Sequence, residues 1–322
     1  MTPSLTQMTT ATAVNDIELS RPATVKIESE FKEDPVHWLG ENNAKLNELL
    51  LKRGAVLLKG FDPLTPEKFE SFIEAASGEL LLYKNRSTPR SVVQGRVYTS
   101  TEYPPDQVIP LHNENAYTHE WPQRLYFTCL MASETGGETP LADSRRVLSL
   151  LPVDLVEKFE RLGVMYVRTF TPGLGLTWQE TFQMTDRIQV QKYCQKHGIQ
   201  VQWLSGGRLQ IKQVLQAVLK HPVTKERVWF NQAHLFHVSA LEKEVRQEIG
   251  RTIPEDELPR NAFLGNGEAI SEPDLQAIRE SYATVEYAEP WREGDILVVD
   301  NILFAHGRRP YSGPRRVIVG MT

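Results

Sequence analysis

The run Gly294-Asp295-Ile296-Leu297-Val298-Val299-Asp300-Asn301-Ile302-Leu303-Phe304-Ala305-His306, followed after a Pro/Ser/Gly loop by Arg315-Arg316-Val317-Ile318-Val319-Gly320-Met321, decides the fold. Gly294 opens one apolar strand, residues 295–299, and residues 315–321 form another, with His306 between them. Residues 91–127 carry short β-rich runs separated by Pro and Gly, which suits an antiparallel sheet better than a parallel one. A mostly antiparallel sheet with strands near both ends of a chain can close into a double-stranded β-helix, or jelly roll, and hold ligands in its mouth. The expected class is α+β: a jelly-roll core with surrounding helices and insertions.

Outward from this core, Leu39, Leu46, Leu49 and Leu50 recur at helical spacing over residues 38–53, and Gly54 then releases the chain into the buried strand 55–61. Thr65 followed by Pro66 and Glu67 starts a second helix, whose apolar face is Phe69, Phe72, Ile73 and Ala76. Residues 152–162, 177–196, 239–251 and 272–282 read as further helices. The segment His221-Pro222-Val223-Thr224-Lys225-Glu226 punctuates a hairpin. Residues 259–272, containing Gly265-Asn266-Gly267, have loop composition and read either as a lid or as a plain connector. Residues 1–24, rich in Thr, Ser and Ala, read as a mobile arm, leaving 25–322 as one domain.

Composition narrows the partner. The 36 basic and 41 acidic residues among 322 give a net charge of -5, which removes the electrostatic case for nucleic acid or an anionic membrane. No apolar run approaches the length of a membrane helix. The two cysteines, Cys129 and Cys194, form neither a disulfide framework nor a zinc spacing, and a reducing cytoplasm fits them best. A small molecule is the default partner, and a homo-oligomeric state stays open.

The chemistry lies in Leu111-His112-Asn113-Glu114. On a strand, side chains at i and i+2 share a face, so His112 and Glu114 can converge on one ion while Asn113 points away. With eight histidines and 41 acidic residues, about one His-x-acid pair is expected by chance, so the pair alone is weak. The distant His306 completes a 2-His-1-carboxylate set, the donor pattern of non-haem Fe(II) oxygenases. About ten residues beyond it, Arg315 and Arg316 offer a guanidinium that can grip a carboxylate. Alternation puts Arg316 with Ile318 and Gly320 on one face, and Arg315 with Val317 and Val319 on the other, so only one arginine enters the site. The expectation is Arg316, with Arg315 as the fallback. His234 and His237, three apart, lack a third ligand at zinc spacing and read as packing residues.

Residues 53–61, 98–104 and 112–115, the run Gly136-Gly137-Glu138-Thr139-Pro140-Leu141-Ala142-Asp143-Ser144-Arg145, residues 228–232 and residues 291–316 together resemble the taurine dioxygenase family of Fe(II)/2-oxoglutarate-dependent oxygenases. The resemblance is nearest to the branch of the syringomycin-pathway aspartyl hydroxylase. It implies His112, Glu114 and His306 as iron ligands, Arg316 as the anchor for the distal carboxylate of 2-oxoglutarate, and Thr139 as a hydrogen-bonding partner of the same carboxylate. It also implies Fe(II), 2-oxoglutarate and O2 as cofactor and cosubstrates. The expected reaction is decarboxylation of 2-oxoglutarate to succinate and CO2, coupled to hydroxylation of a C–H bond. Related halogenases replace the carboxylate ligand with a small residue, and Glu114 is retained here.

The branch implies an amino acid or amino-acid-derived substrate, free or presented on a carrier protein. Asn115, Tyr117 and the polar stretch 85–90, ending at Arg90, are candidate substrate contacts, although a solvated loop explains each of them equally well. Desaturation or cyclisation by the same site is one alternative outcome. A non-catalytic metabolite-binding jelly roll and a metal-dependent hydrolase are alternatives of other classes. The hydrolase gives the arginine and Thr139 no task.

Overall fold

The architecture follows from how apolar residues alternate along four neighbouring strands. In the computed structural model, which describes residues 25–28, 32–82, 90–101 and 103–322, a seven-stranded sheet runs in the order Val25–Glu28, Ala55–Lys59, Ile296–Asp300, Arg124–Met131, Arg316–Met321, Val97–Thr99, Val92–Gln94. Only the pair Val25–Glu28 and Ala55–Lys59 is parallel. Val56, Leu58, Tyr126, Ile296, Val298 and Ile318 cover one face and pack on the helices Pro35–Arg53 and Pro66–Ser77 through Leu39, Leu46, Phe69, Phe72 and Ile73. Leu57, Phe127, Leu297, Val299, Val317 and Val319 cover the other face and meet Leu141 and Phe304 of a second sheet. Each such side chain fully removed from water contributes roughly 1.5–3 kcal/mol, so both faces are strongly fixed.

The second sheet is small and antiparallel, in the order Ile109–His112, Phe304–Arg308, Leu141–Asp143. A third, outer sheet runs Gln200–Trp203, Leu209–Leu215, Val164–Phe170, Arg260–Leu264, also antiparallel. The two long N-terminal helices are well delimited. Asp34 accepts from the backbone N–H of Val36 and His37, and Thr65 accepts from that of Lys68. Gly54 ends the first helix at φ 82°, and its N–H donates to the Leu50 carbonyl.

Several expectations are corrected. Residues 177–196 form two helices, Trp178–Phe182 and Arg187–Lys196, because Gln183 is left-handed (φ 54°) and Asp186 starts a new helix by accepting from Ile188. The helix expected from residue 239 begins at Lys243, after a short 3-10 turn at Val238–Ala240. The presumed lid or connector at 259–272 contains the strand Arg260–Leu264, paired over its whole length with Val164–Phe170, so its glycines mark only the turn after the strand. The expected hairpin is present as Val218–Lys220 and Arg227–Trp229. Among the described residues no helix is long and apolar enough to cross a membrane. The N-terminal arm at 1–24 and the polar residues 85–89 lie outside the described residues.

Candidate active site

Strand pairing brings the two histidines together: His112, the last residue of Ile109–His112, is the register partner of His306, and their rings lie 4.5 Å apart. Glu114 arrives differently from the expected strand geometry, since the strand stops at His112 and Glu114 lies in the following turn. A buried amide network fixes that turn. The Glu114 N–H donates to Asn301 Oδ1 at 2.7 Å, while Asn301 Nδ2 donates to the carbonyls of Glu114 at 3.0 Å and Pro122 at 2.8 Å. Asn113 points away from the histidines and donates to the Asn301 carbonyl and Ser144 Oγ, and Gln232 donates to the Asn113 carbonyl. Glu114 Oε2 consequently lies 4.0 Å from His112 Nε2 and 3.7 Å from His306 Nε2.

One donor atom from each of His112, Glu114 and His306 falls within 4.8 Å of the others, and this is the single group of at least three such residues among the described ones. The protonation states suit a metal. His112 Nδ1 donates to the Pro110 carbonyl at 2.8 Å, which leaves the Nε2 lone pair for an ion. Burial holds both imidazoles below their ordinary range, His306 down to about 3, so both are neutral at pH 7. Burial alone would raise the Glu114 carboxyl, but the Arg90 guanidinium at 2.8 Å and the two histidines overcome it and hold the group down to about 2. Two neutral imidazoles and one carboxylate, with no thiolate, are a donor set that fits Fe(II).

A cavity beside the histidines is lined by Thr139, Ser100, Phe127, Arg315 and Val317. Arg315 Nε donates to the Gly137 carbonyl at 2.9 Å and Nη1 to Ser100 Oγ at 3.3 Å. Burial, with Arg308 nearby, lowers the Arg315 guanidinium to about 10, which leaves it charged at neutral pH. Arg316 is exposed and does not line this cavity. The alternation was counted correctly, but the wrong face was chosen: Arg316 is in phase with Ile318, which packs under the helices, whereas Arg315 is in phase with Val317 and Val319, which face the site. Thr139 Oγ1 accepts from Trp291 Nε1 at 3.1 Å.

A second cavity shares His112 and Arg90 with the first and is lined also by Glu114, Tyr103, Tyr117, Gln232, Leu235 and Arg260. Two of the three candidate substrate residues, Tyr117 and Arg90, therefore reach it, Arg90 by way of its ion pair with Glu114. Asn115 does not. It sits in the left-handed region at φ 58°, which asparagine tolerates better than most residues, and its Oδ1 accepts from the Tyr117 hydroxyl at 3.3 Å. His234 Nε2 donates to the Leu111 carbonyl at 2.9 Å, and His237 Nδ1 accepts from the Ser239 N–H.

The family model described as "Taurine catabolism dioxygenase TauD, TfdA family" matches residues 19–322. The chain belongs to this family. It is an oxygenase dependent on Fe(II) and 2-oxoglutarate, with O2 as the second cosubstrate. It is 40% identical over 276 residues to the dapdiamide synthesis protein DdaC of Enterobacter agglomerans, covering 86% of this chain and 84% of that protein. It is 30% identical over 292 residues to a clavaminate synthase-like protein of Arabidopsis thaliana, covering 86% and 83%. Among solved structures it is similar to PvcB of Pseudomonas aeruginosa, with a TM-score of 0.56 at 15% identity over 94% of this chain and 86% of that one.

Membership of the family gives the surrounding residues a context that sequence reading missed. Asn301 and Gln232 hold the backbone of the Glu114 turn, yet a buried amide beside a strand end carries no motif. Arg308 is buried and anchored to the carbonyls of Tyr103, Pro104 and Gln107, so its donors serve the loop above the site. Arg260 was hidden by the loop composition of its segment, and it emerges only because that segment is a strand.

Proposed function

We propose that this oxygenase hydroxylates a C–H bond of an amino acid or amino-acid-derived small molecule in natural-product biosynthesis. In this reading His112, Glu114 and His306 hold the iron, Arg315 holds the distal carboxylate of 2-oxoglutarate, and Thr139 donates to that carboxylate. The two facing sheets act as a double-stranded β-helix whose mouth contains both cavities. The carrying observation is that Arg315 and Thr139 line the same cavity as the two histidines. A guanidinium fixed by Gly137 and Ser100 can present its remaining donors to a carboxylate with little loss of freedom.

Fe(II) and 2-oxoglutarate, held by these residues, would supply the oxidising chemistry. The chain supplies geometry. His112 lines both the cosubstrate cavity and the one lined by Glu114, Tyr117, Gln232 and Arg260, so the second cavity could present a substrate C–H bond to an ion held by these ligands. Retention of Glu114 supports an outcome without a halide ligand. The dapdiamide pathway of DdaC, and the description of PvcB as an oxygenase from an isonitrile synthetic pathway, support a role in secondary metabolism, with the substrate free or carrier-bound.

Anaerobic addition of Fe(II) and 2-oxoglutarate is expected to give the visible charge-transfer band of a chelated keto acid. The band is lost in His112→Ala. In Arg315→Ala, half-saturation by 2-oxoglutarate moves up by about 10–100-fold, as for loss of a charged, hydrogen-bonded contact, while Arg316→Ala behaves as wild type. No band in the wild-type protein would sink the assignment, and a shift in Arg316→Ala rather than Arg315→Ala would restore the sequence-based choice. Product mass separates gain of one oxygen from the loss of two hydrogens expected for desaturation or ring closure.

A further inference from the structure

Thr139 stands in the wall between two cavities: the one that also contains His112, His306 and Arg315, and another lined by Leu57, Tyr287, Trp291 and Asp295. Its backbone is fixed on both sides. The Gly137 N–H donates to the Pro310 carbonyl at 3.0 Å, and Leu141 exchanges both backbone hydrogen bonds with Tyr287, at 2.7 and 2.9 Å. What this leaves open is the side chain, since a threonine can turn either its hydroxyl or its methyl towards a given neighbour. Trp291 settles that choice by donating from Nε1 to Thr139 Oγ1 at 3.1 Å. An indole N–H is a donor with no acceptor, so Thr139 accepts here and its own hydroxyl hydrogen points away from Trp291. Trp291 is itself held. Its ring is half-buried against the apolar cluster that contains Leu141 and Leu297. In the turn that follows it, the Arg292 N–H donates to Asp295 Oδ2 at 2.9 Å, and the Lys59 ammonium pairs with the same oxygen at 3.0 Å. The Gly294 N–H donates to the Cys129 carbonyl at 2.9 Å, which ties this turn to the large sheet.

We infer that Trp291 is a positioning residue for the cosubstrate: its indole N–H holds the Thr139 side chain in the rotamer whose hydroxyl donates to the distal carboxylate of 2-oxoglutarate. This rests on the proposed role of Thr139 and deepens it by naming the group that sets the hydroxyl. Donation into Oγ1 also polarises the Thr139 O–H bond and makes it a stronger donor to an anion. Without the indole N–H, the hydroxyl is free to turn to other acceptors, and a share of the molecules presents the threonine methyl to the carboxylate. Trp291 thereby raises affinity for the cosubstrate without touching it, and it acts only through Thr139. A role confined to packing has a different signature, because lost packing would disturb the neighbouring metal ligands whichever side chain Thr139 is replaced by.

The test titrates 2-oxoglutarate into the full chain with Fe(II) under anaerobic conditions, reading half-saturation from the charge-transfer band, in Trp291→Phe, Thr139→Val and the double variant. Calorimetry gives the Fe(II) affinity of each without 2-oxoglutarate. Thr139→Val is expected to raise half-saturation about tenfold and Trp291→Phe about 3–10-fold, the range for losing one hydrogen bond to a charged group or weakening it. The double variant then binds no more weakly than Thr139→Val, because the two residues act as one unit. Fe(II) affinity stays at the wild-type value throughout. A benzothiophene analogue of the Trp291 side chain, which keeps the bicyclic shape and lacks the N–H, serves as a second variant and should reproduce the Trp291→Phe shift. Half-saturation unchanged in both Trp291 variants, a shift that persists in the Thr139→Val background, or a parallel loss of Fe(II) affinity would overturn the inference. The two levels fail differently. If Thr139→Val itself leaves half-saturation unchanged, the proposed role of Thr139 falls and this inference with it, whereas a weakened Thr139→Val beside unaffected Trp291 variants overturns the inference alone.

Discussion

Arg90 and Glu114 form an ion pair with both side chains almost wholly buried, and the pair sits on the oxygen that faces the two histidines. Removing one member of a buried pair strands the other charge at a cost of about 3–5 kcal/mol. Fe(II) on the same carboxylate would supply replacement positive charge. Arg90→Met is therefore expected to destabilise the chelator-treated protein by about that amount and the Fe(II)-loaded protein by clearly less, read as unfolding midpoints with and without metal. Equal losses in both states would place Arg90 outside the metal's electrostatics. His234 gives a separate pH signature. Burial holds it down to about 4, so the unfolded chain binds a proton below its ordinary value that the folded chain refuses. Its contribution is intact above about pH 6.5 and is lost as pH falls towards 4, to a limit of roughly 3 kcal/mol. His234→Gln, which keeps a donor for the Leu111 carbonyl, should flatten that part of the stability profile measured by urea unfolding.

At the scale of elements, the site depends on the junction between the end of Ile109–His112 and the turn that carries Glu114. Asn301 is the hinge pin of that junction, with one side chain serving three backbone groups. Asn301→Ala leaves buried amide and carbonyl groups without partners, each costing about 1–3 kcal/mol, and it frees the Glu114 turn. The expected result is a lower unfolding midpoint together with Fe(II) affinity weaker by about 10–100-fold, the usual effect of losing ligand support. Unchanged affinity would mean that the turn holds itself. The sequence carried the candidate ligands here but not their support: the group His112, Glu114 and His306, proposed to hold the iron, was legible from residue type and spacing, because metal chemistry restricts which side chains serve. Asn301 was not, since an asparagine that bonds backbone looks like any other polar residue. Arg315 and Arg316 show the same limit, as alternation separates two faces without saying which one the helices cover. Arg260–Leu264 was masked because glycines near a strand and glycines in a loop look alike until the partner strand is known.

Across the whole molecule, the helical layer, the large sheet and the strand bearing His306 meet at Gly54. This residue ends the first helix at positive φ, and a Cβ built there would lie 2.3 Å from two ring carbons of Phe304, two residues before His306. A methyl group at this point suffers twice. The left-handed backbone costs a non-glycine residue about 1–2 kcal/mol, and forcing a carbon into packed space costs about 1–3 kcal/mol more. Gly54→Ala should therefore destabilise the fold by about 3 kcal/mol and, by displacing the Phe304 strand, weaken the Fe(II)/2-oxoglutarate band at fixed metal concentration. Phe304→Leu removes the ring atoms that clash while keeping the site apolar. In the double variant the steric part should be recovered and the backbone part should remain, giving a favourable coupling of about 1–2 kcal/mol in a double-mutant cycle, with partial return of the band. Strict additivity of the two substitutions, with the band unaffected in Gly54→Ala, would show that the helical layer and the metal site are mechanically independent.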